Sequence, residues 1–288
     1  MSDGNRLAPE YVVLGHITLD RVESGHLLGG TTSYGALTAR RLGYRAAIAT
    51  AGAPPEAEAL RAEGILISSL ASDAPTIFEN VYRGGERQQF LRSVAAPVTA
   101  DAIPLHWRQA RVVHLGPLTQ ELDVTIAKGF PDALVGATPQ GWLRQWDSAG
   151  KVSATDWKDA EDTLSQIDAL VFSEQDVSGD RALIDRYTRL ARVAVLTRGS
   201  EGCVVYSDGA TCSLPAFPTH EVEPTGAGDV FAAAFFLKYA ETRDACASAT
   251  WANCVASFAV EAPGTQGIPT LEQVRTRFAR RDAGARGR

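Results

Sequence analysis

The residues best suited to chemistry lie together in Glu223-Pro224-Thr225-Gly226-Ala227-Gly228-Asp229, followed by the apolar run Val230 to Leu237. Two glycines let the backbone turn tightly and approach a ligand closely. A helix starting there offers amide N–H groups that its own ladder does not use, and the positive end of its dipole. Gly226, Ala227 and Gly228 can therefore cradle an anionic phosphoryl group. Asp229 would stand in the first turn beside that anion, placed to accept the proton of an attacking hydroxyl. A carboxylate is a weak base at neutral pH, but phosphoryl transfer tolerates one because its transition state is loose. The same residues also read as a plain buried helix capped by Thr225. Other nucleotide motifs do not fit. Phe231 stands where a dinucleotide fingerprint needs its third glycine, and Gly150-Lys151 lacks the upstream glycine of a P-loop.

Positioning such a loop requires a rigid frame, and the hydrophobic pattern supplies one. Short apolar runs at Tyr11–Gly15, Ala46–Thr50, Val112–Leu115, Ala133–Ala137, Ala169–Phe172 and Val193–Thr197 read as strands covered on both faces. Helical patterns at Thr32–Leu42, Thr119–Lys128, Asp156–Gln166 and Arg181–Ala191 alternate with them, which predicts a doubly wound, largely parallel sheet. Thr76–Tyr82 and Arg87–Ser93 break the rhythm. They flank Gly84-Gly85 and read as a hairpin outside the main sheet, a flap with Arg21–Leu28 as its partner. The alternative is an antiparallel extension of the sheet edge. Strand-like Cys203–Tyr206 and Thr211–Leu214 precede three helical patterns, Gly226–Glu241, Asp244–Val260 and Thr270–Ala279. Residues 1–280 read as one α/β domain with a lid from 21–28 and 76–93, and the basic, Gly/Ala-rich 281–288 as a flexible tail.

Bulk composition excludes several classes. With 28 basic and 34 acidic residues the net charge is −6, which argues against nucleic-acid binding and attraction to an anionic membrane. The polar start Met1–Asn5 lacks a signal-peptide core, and no apolar run spans a bilayer. Cys203, Cys212, Cys246 and Cys254 have no metal-ligand spacing and read as free thiols. A cytoplasmic protein is expected.

Five ordered blocks then resemble the PfkB, or ribokinase-like, carbohydrate kinases along nearly the whole chain. Gly15-His16-Ile17-Thr18-Leu19-Asp20 is similar to the first strand and the aspartate that binds substrate hydroxyls. Gly29-Gly30-Thr31-Thr32-Ser33-Tyr34 resembles the first signature, and Ser173-Glu174-Gln175-Asp176 falls at the Asn-Glu-x-Glu motif. Thr197-Arg198-Gly199-Ser200-Glu201-Gly202 resembles the nucleotide loop, and Thr225–Asp229 the second signature. The resemblance implies a three-layer α/β/α sandwich with a mostly parallel central sheet and a small β-flap. It implies ATP-dependent transfer of the γ-phosphoryl group to a hydroxyl of a sugar or related polyol, with Asp229 as base. It assigns Asp20, Gly29, Gly30, Thr31 and Tyr34 to substrate, and Ser173, Thr197, Gly199, Gly202 and Asn253 to nucleotide; His16 stands close enough to Asp20 to touch substrate as well. Glu174 and Asp176 would hold Mg2+ through water, K+ is a candidate activator, and the lid a candidate homodimer interface.

Departures limit the substrate. Thr31 and Tyr34 replace the Lys and Asn with which ribokinase-type members reach the sugar, which points away from ribose itself. Ser173 and Asp176 shorten the reach of the usual Asn and Glu, and Glu223-Pro224 replaces a common Asp-Thr. A nucleoside or vitamin-precursor kinase is the alternative within this chemistry. A non-catalytic nucleotide or metabolite sensor is the alternative outside it.

Overall fold

The computed structural model describes residues 8–286 apart from 24, 84 and 85. The Gly84-Gly85 turn, the Met1–Asn5 start and the last two tail residues lie outside the described residues. The chain opens with β1 (Tyr11–Leu14), then the hairpin β2 (Thr18–Val22) and β3 (Gly25–Gly29), which runs directly into α1 (Gly30–Arg41). β4 (Ala46–Ala51), α2 (Glu58–Ala62), β5 (Leu66–Leu70) and the pair β6 (Thr76–Arg83) and β7 (Glu86–Ser93) follow. Next come β8 (Val112–Leu115), β9 (Leu134–Ala137) and the small hairpin β10 (Arg144–Trp146) and β11 (Val152–Ala154). α3 (Ala160–Ser165), β12 (Ala169–Ser173), α4 (Arg181–Leu190), β13 (Val193–Thr197), β14 (Cys203–Ser207) and β15 (Ala210–Leu214) complete the sheets. Three helices end the chain: α5 (Ala227–Thr242), α6 (Ala245–Ala259) and α7 (Leu271–Arg286).

Nine strands form the central sheet in the order β15-β14-β13-β12-β9-β8-β1-β4-β5. Every neighbour pair from β13 to β5 is parallel, and only the β13–β14 and β14–β15 pairs are antiparallel, so β14 alone is reversed. Successive strand residues point to opposite faces, and here both faces are apolar. Tyr11, Val13, Ile48 and Val195 enter one core with α1, α5 and α6, while Val12, Leu14, Ala47 and Leu196 enter a second with Trp157, Leu164 and Tyr187. This is the three-layer sandwich expected.

The flap is a separate four-stranded sheet, β3-β2-β6-β7. The expected hairpin is therefore not an extension of the main sheet. β2 pairs parallel with β6, setting Asp20 opposite Phe78.

Two expectations change. Thr119–Lys128 forms no α-helix, only a 3-10 turn at Val124–Gly129. Side chains compete with the helical ladder there: Glu121 accepts the amides of Leu118 and Thr119, and Asp123 accepts that of Thr125. At the C-terminus α7 continues through Arg286, so helix covers most of the stretch expected as a tail.

Candidate active site

The Gly226 turn and α5 build the centre. Gly226 has a left-handed φ of 79°, and a Cβ there would drive into the ring of Tyr34. Gly226, rather than Thr225, is the N-cap, and no side chain caps the helix. The first ladder bond runs from Val230 N–H to Gly226 O at 2.9 Å. Among the described residues no protein acceptor takes the amides of Gly226, Gly228 or Asp229. The turn is open beside Gly228, where a Cβ would meet nothing within 4 Å, and these unused amides lie at the positive end of the helix dipole.

Asp229 sits in the first turn of α5, and its Oδ1 accepts a hydrogen bond from Thr31 Oγ1 at 2.7 Å. Burial pushes its carboxyl from the ordinary 3.8 up to about 6; the Thr31 bond opposes this, Asp176 adds to it and Arg144 opposes it. Thr31 is thus tied to Asp229 and buried at 1% exposure, and does not lie on an open surface. Tyr34 is also buried, its ring packed beneath Gly226. Burial, followed by the charges of Asp229, Glu223 and Asp20, holds its phenol well above the usual range.

The Asp20 carboxylate packs over Gly29, where a Cβ would meet Oδ2 at 2.5 Å. Gly30, with φ 86°, lets the chain pass between Leu118, Thr18 and the His16 carbonyl on its way into α1. His16 itself is fully buried. Its Nε2–H donates to Ala96 O at 2.9 Å, Nδ1 accepts from Thr76 Oγ1 at 2.8 Å, and Thr119 Oγ1 lies 3.2 Å from the same nitrogen. Both ring nitrogens are used by protein, so His16 fastens the flap root instead of touching substrate.

Ser173 N–H and Oγ–H both donate to Asp176 Oδ2 at 2.8 Å, closing the turn after β12. Glu174 Oε1 accepts from Arg198 Nε at 3.0 Å, and Arg198 also pairs with Glu201. Thr197 Oγ1 reaches Phe172 O at 3.4 Å at the end of β13. Gly199 and Gly202 both have positive φ. Only Gly202 is pinned, since a Cβ there would enter the backbone of residues 214–216. Asn253 is turned inward: its Nδ2 donates to Cys203 Sγ at 3.4 Å and Pro215 O at 3.3 Å, so it braces the wall from behind.

Two residues escaped the sequence reading. Glu121 is buried and gathers the amides of His16, Leu118 and Thr119 at 2.7–3.0 Å. The Leu118 and Thr119 amides are sequence neighbours, but the His16 amide is 105 residues away, and no local pattern marks that partnership. Arg144 stands at the start of β10 with its guanidinium 6.0 Å from the Phe78 ring centre. The β10–β11 turn had a legible signal in Asp147 to Gly150: Asp147 Oδ1 accepts from Ala149 and Lys151 N–H at 2.9 Å, and Gly150 has φ 82°.

The fold has a ribokinase-like architecture, and comparisons with known proteins agree. Residues 152–271 match the pfkB family carbohydrate kinase model. A nucleoside kinase of Methanothermobacter thermautotrophicus is 41% identical over 87 residues, 30% of this chain and 28% of that protein. The ribokinase of Bacillus subtilis is 43% identical over 81 residues, 27% of each chain. These alignments thus span under a third of either relative. A pyrophosphate-dependent kinase of the ribokinase family, complexed with a pyrophosphate analog and myo-inositol, superposes with a TM-score of 0.76 at 24% identity, covering 92% of this chain and 99% of that one. Arabidopsis thaliana ribokinase, complexed with ribose and ATP, gives 0.73 at 19%, covering 94% and 98%. The resemblance drawn from the five blocks is borne out: the chain carries a PfkB domain match, has ribokinase-family homologues, and shares their fold.

Proposed function

We propose that the protein is a kinase transferring the γ-phosphoryl group of ATP to a hydroxyl of a sugar or related polyol. The observation that carries this reading is Asp229, bonded by Thr31 at 2.7 Å beside the open amides at the start of α5. A base in that place is of no use to a sensor, and the matched pfkB segment, residues 152–271, contains it.

The step is an in-line displacement. The acceptor hydroxyl, oriented by Asp20, approaches the phosphorus. Its oxygen forms the new O–P bond as the bond to the leaving diphosphate breaks, and its proton passes to Asp229. The Gly226, Gly228 and Asp229 amides hold the oxygens on which charge develops, already aimed and with little reorganisation. With its carboxyl near 6, Asp229 is ionised at neutral pH yet more basic than an ordinary aspartate.

A divalent ion fits only in one manner. The described residues contain no cluster of three or more His, Cys, Asp or Glu that could hold a metal. Mg2+ suits such a site, because it binds mainly to substrate phosphates and water with one or two carboxylates. Asp176 is the carboxylate that would carry it through water, and the ion would neutralise donor phosphate charge. Glu174 is occupied with Arg198. A monovalent cation would lie by Glu223, whose Oε2 already accepts Gly264 N–H at 3.2 Å. The same reading includes a cytoplasmic enzyme and a homodimer through the flap. No helix among the described residues is long and apolar enough to cross a membrane.

The test is a turnover panel of aldoses, ketoses, inositols and nucleosides with Mg2+ and either ATP or pyrophosphate as donor, with and without K+. Transfer from ATP to a polyol is expected. Transfer from pyrophosphate alone would replace the donor, and nucleosides as the sole acceptors would favour the alternative. Thermal protection by ATP without transfer to any acceptor would favour a sensor.

A further inference from the structure

A base must be held accurately to work, yet the bond that holds Asp229 joins two helices. Thr31 belongs to α1 and Asp229 to α5. The bond is therefore only as well placed as those helices are seated on the sheet. Two buried polar side chains lie where that seating is decided, and the transfer step uses neither. Tyr11 on β1 and His114 on β8 are both at 0% exposure, and the Tyr11 hydroxyl lies 2.7 Å from His114 Nδ1. The other ring nitrogen lies 3.1 Å from Thr138 Oγ1, just past β9. Burial pulls the His114 imidazole from 6.5 down to about 3. Burial, followed by the charge of Asp229, holds the Tyr11 phenol well above its usual range. Both groups thus stay neutral at working pH. A neutral imidazole has one donor and one acceptor nitrogen, and the two hydroxyls satisfy both.

Each member of this pair touches an element that carries the base bond. The Tyr11 hydroxyl fills the space under α1 at Gly35, where a Cβ would come within 2.7 Å of it. Gly35 follows Thr31 by four residues, so the two share a face of α1. The His114 ring meets Phe236 of α5 edge-on, with centroids 4.9 Å apart. Gly136, the register partner of His114 on β9, leaves the room that Phe236 occupies: a Cβ there would meet its ring at 2.4 Å. Phe236 follows Asp229 by seven residues, two turns along the same side of α5. The strand of His114 also reaches Thr31 itself. Gly116, two residues further on, would put a Cβ 2.6 Å from the Thr31 methyl carbon. An apolar pair could fill the same volume, because hydrophobic burial is non-directional. A hydrogen bond fixes distance and angle as well, and so selects one seating of the two helices.

We propose that Tyr11 and His114 are positioning residues for the catalytic base: their hydrogen bond seats α1 and α5 on the sheet so that the Thr31 hydroxyl meets Asp229. Being fully buried, neither reaches donor or acceptor, and neither exchanges a proton in the transfer. Their role rests on the kinase reading for the reaction it serves, while the placement of the carboxyl can be measured without it.

The full chain is compared with Tyr11→Phe, His114→Leu and His114→Asn, and Tyr11→Phe is also combined with Thr31→Val. The first readout needs no substrate. The Asp229 carboxyl is titrated by carbon NMR, its resonance identified by its loss in Asp229→Asn. The Thr31 bond favours the ionised form, while Asp176 and Arg144 act in opposite senses and are left in place by every variant. Tyr11→Phe should therefore raise the titration point, and should add little once Thr31→Val has removed that bond. The second readout is kinetics with Mg2+ and the best donor and acceptor from the panel above. In Tyr11→Phe and His114→Leu, kcat should fall ~10- to 10²-fold, the scale of a misplaced reacting group. Both KM values should stay within about threefold. His114→Asn should recover part of kcat, because its amide keeps a polar atom near the place of Nδ1. If His114→Leu does not fold, Tyr11→Phe carries the test, since it removes a single oxygen. An unmoved titration point in Tyr11→Phe would overturn the proposal, as would a shift that adds in full to that of Thr31→Val. Losses of kcat that follow melting temperature, with His114→Asn no better than His114→Leu, would make the pair core packing alone. Wild-type protein inactive with every donor and acceptor would overturn the kinase reading, and the titration would still decide whether the pair places the carboxyl.

Discussion

Asp229 carries two opposed requirements, to be buried enough for basicity and ionised enough to work. Its carboxyl near 6 predicts that kcat/KM falls on the acid side with an inflection near that pH, as protonation removes the base. Asp229→Asn should lower kcat by at least ~10²-fold, the lower end for a general base. Its stability should move the other way. The folded pKa lies above the unfolded one, so the aspartate loses stability as pH rises from the ordinary 3.8 to about 6. At pH 8 the neutral amide should therefore be more stable by about 1–2 kcal/mol, after allowance for solvent screening, and at pH 4 the two should melt alike. A melting curve lower at pH 8 than the wild type would contradict this environment. Thr31→Val removes the donor that favours the ionised form, so the acid limb should move to higher pH, while Thr31→Ser should keep its place. Residue identities were legible here and their partnerships were not. The Gly226–Asp229 segment announced a phosphate cradle, because glycines, helix start and carboxylate are adjacent in sequence. That Thr31 serves the base, and not the acceptor, depends on a contact 198 residues apart.

The α5 turn shows how an element divides stability from function between two similar glycines. Gly226 needs both its left-handed φ and the space beneath it, which the Tyr34 ring fills. Alanine there would suffer the left-handed penalty of roughly 1–2 kcal/mol and a collision with a buried ring. Gly226→Ala should thus lower both melting temperature and kcat. Gly228 has neither constraint, since its Cβ would point into open space. Gly228→Ala should melt like wild type yet weaken donor binding or transfer, because the methyl enters the phosphoryl cradle. Differential scanning fluorimetry alongside steady-state kinetics separates the two, and equal melting losses would remove the distinction. At this scale the strands were the most readable elements, since burial on both faces leaves continuous apolar runs such as Val112–Leu115 and Val193–Thr197. The failed helix at Thr119–Lys128 had suitable apolar spacing, but Glu121 and Asp123 spend their oxygens on nearby amides. Single-residue periodicity does not register such local competition.

The central sheet and the flap sheet meet where β1 gives way to β2, and under the proposed function that joint is where acceptor closure would be governed. The flap leaves the main sheet after β1 and returns through Gly29 and Gly30 into α1, so its root adjoins the base at Thr31. A second attachment is the buried set His16, Thr76 and Glu121. Thr76 Oγ1 there serves His16 Nδ1 at 2.8 Å and accepts Ala95 N–H at 3.0 Å. Thr76→Val keeps the shape but leaves the buried Ala95 amide without its acceptor and His16 Nδ1 without its nearer donor, at a cost of about 1–3 kcal/mol. If the flap pivots on this set, the variant should also close less faithfully over the acceptor. Water would then compete for the donor, since excluding it is what a closing lid accomplishes. The expected result is a higher ratio of donor hydrolysis to acceptor phosphorylation, with little change in donor KM. Measuring both products in one reaction checks this. A variant that melts lower but keeps the wild-type ratio would show that the buried set supports the fold without governing closure.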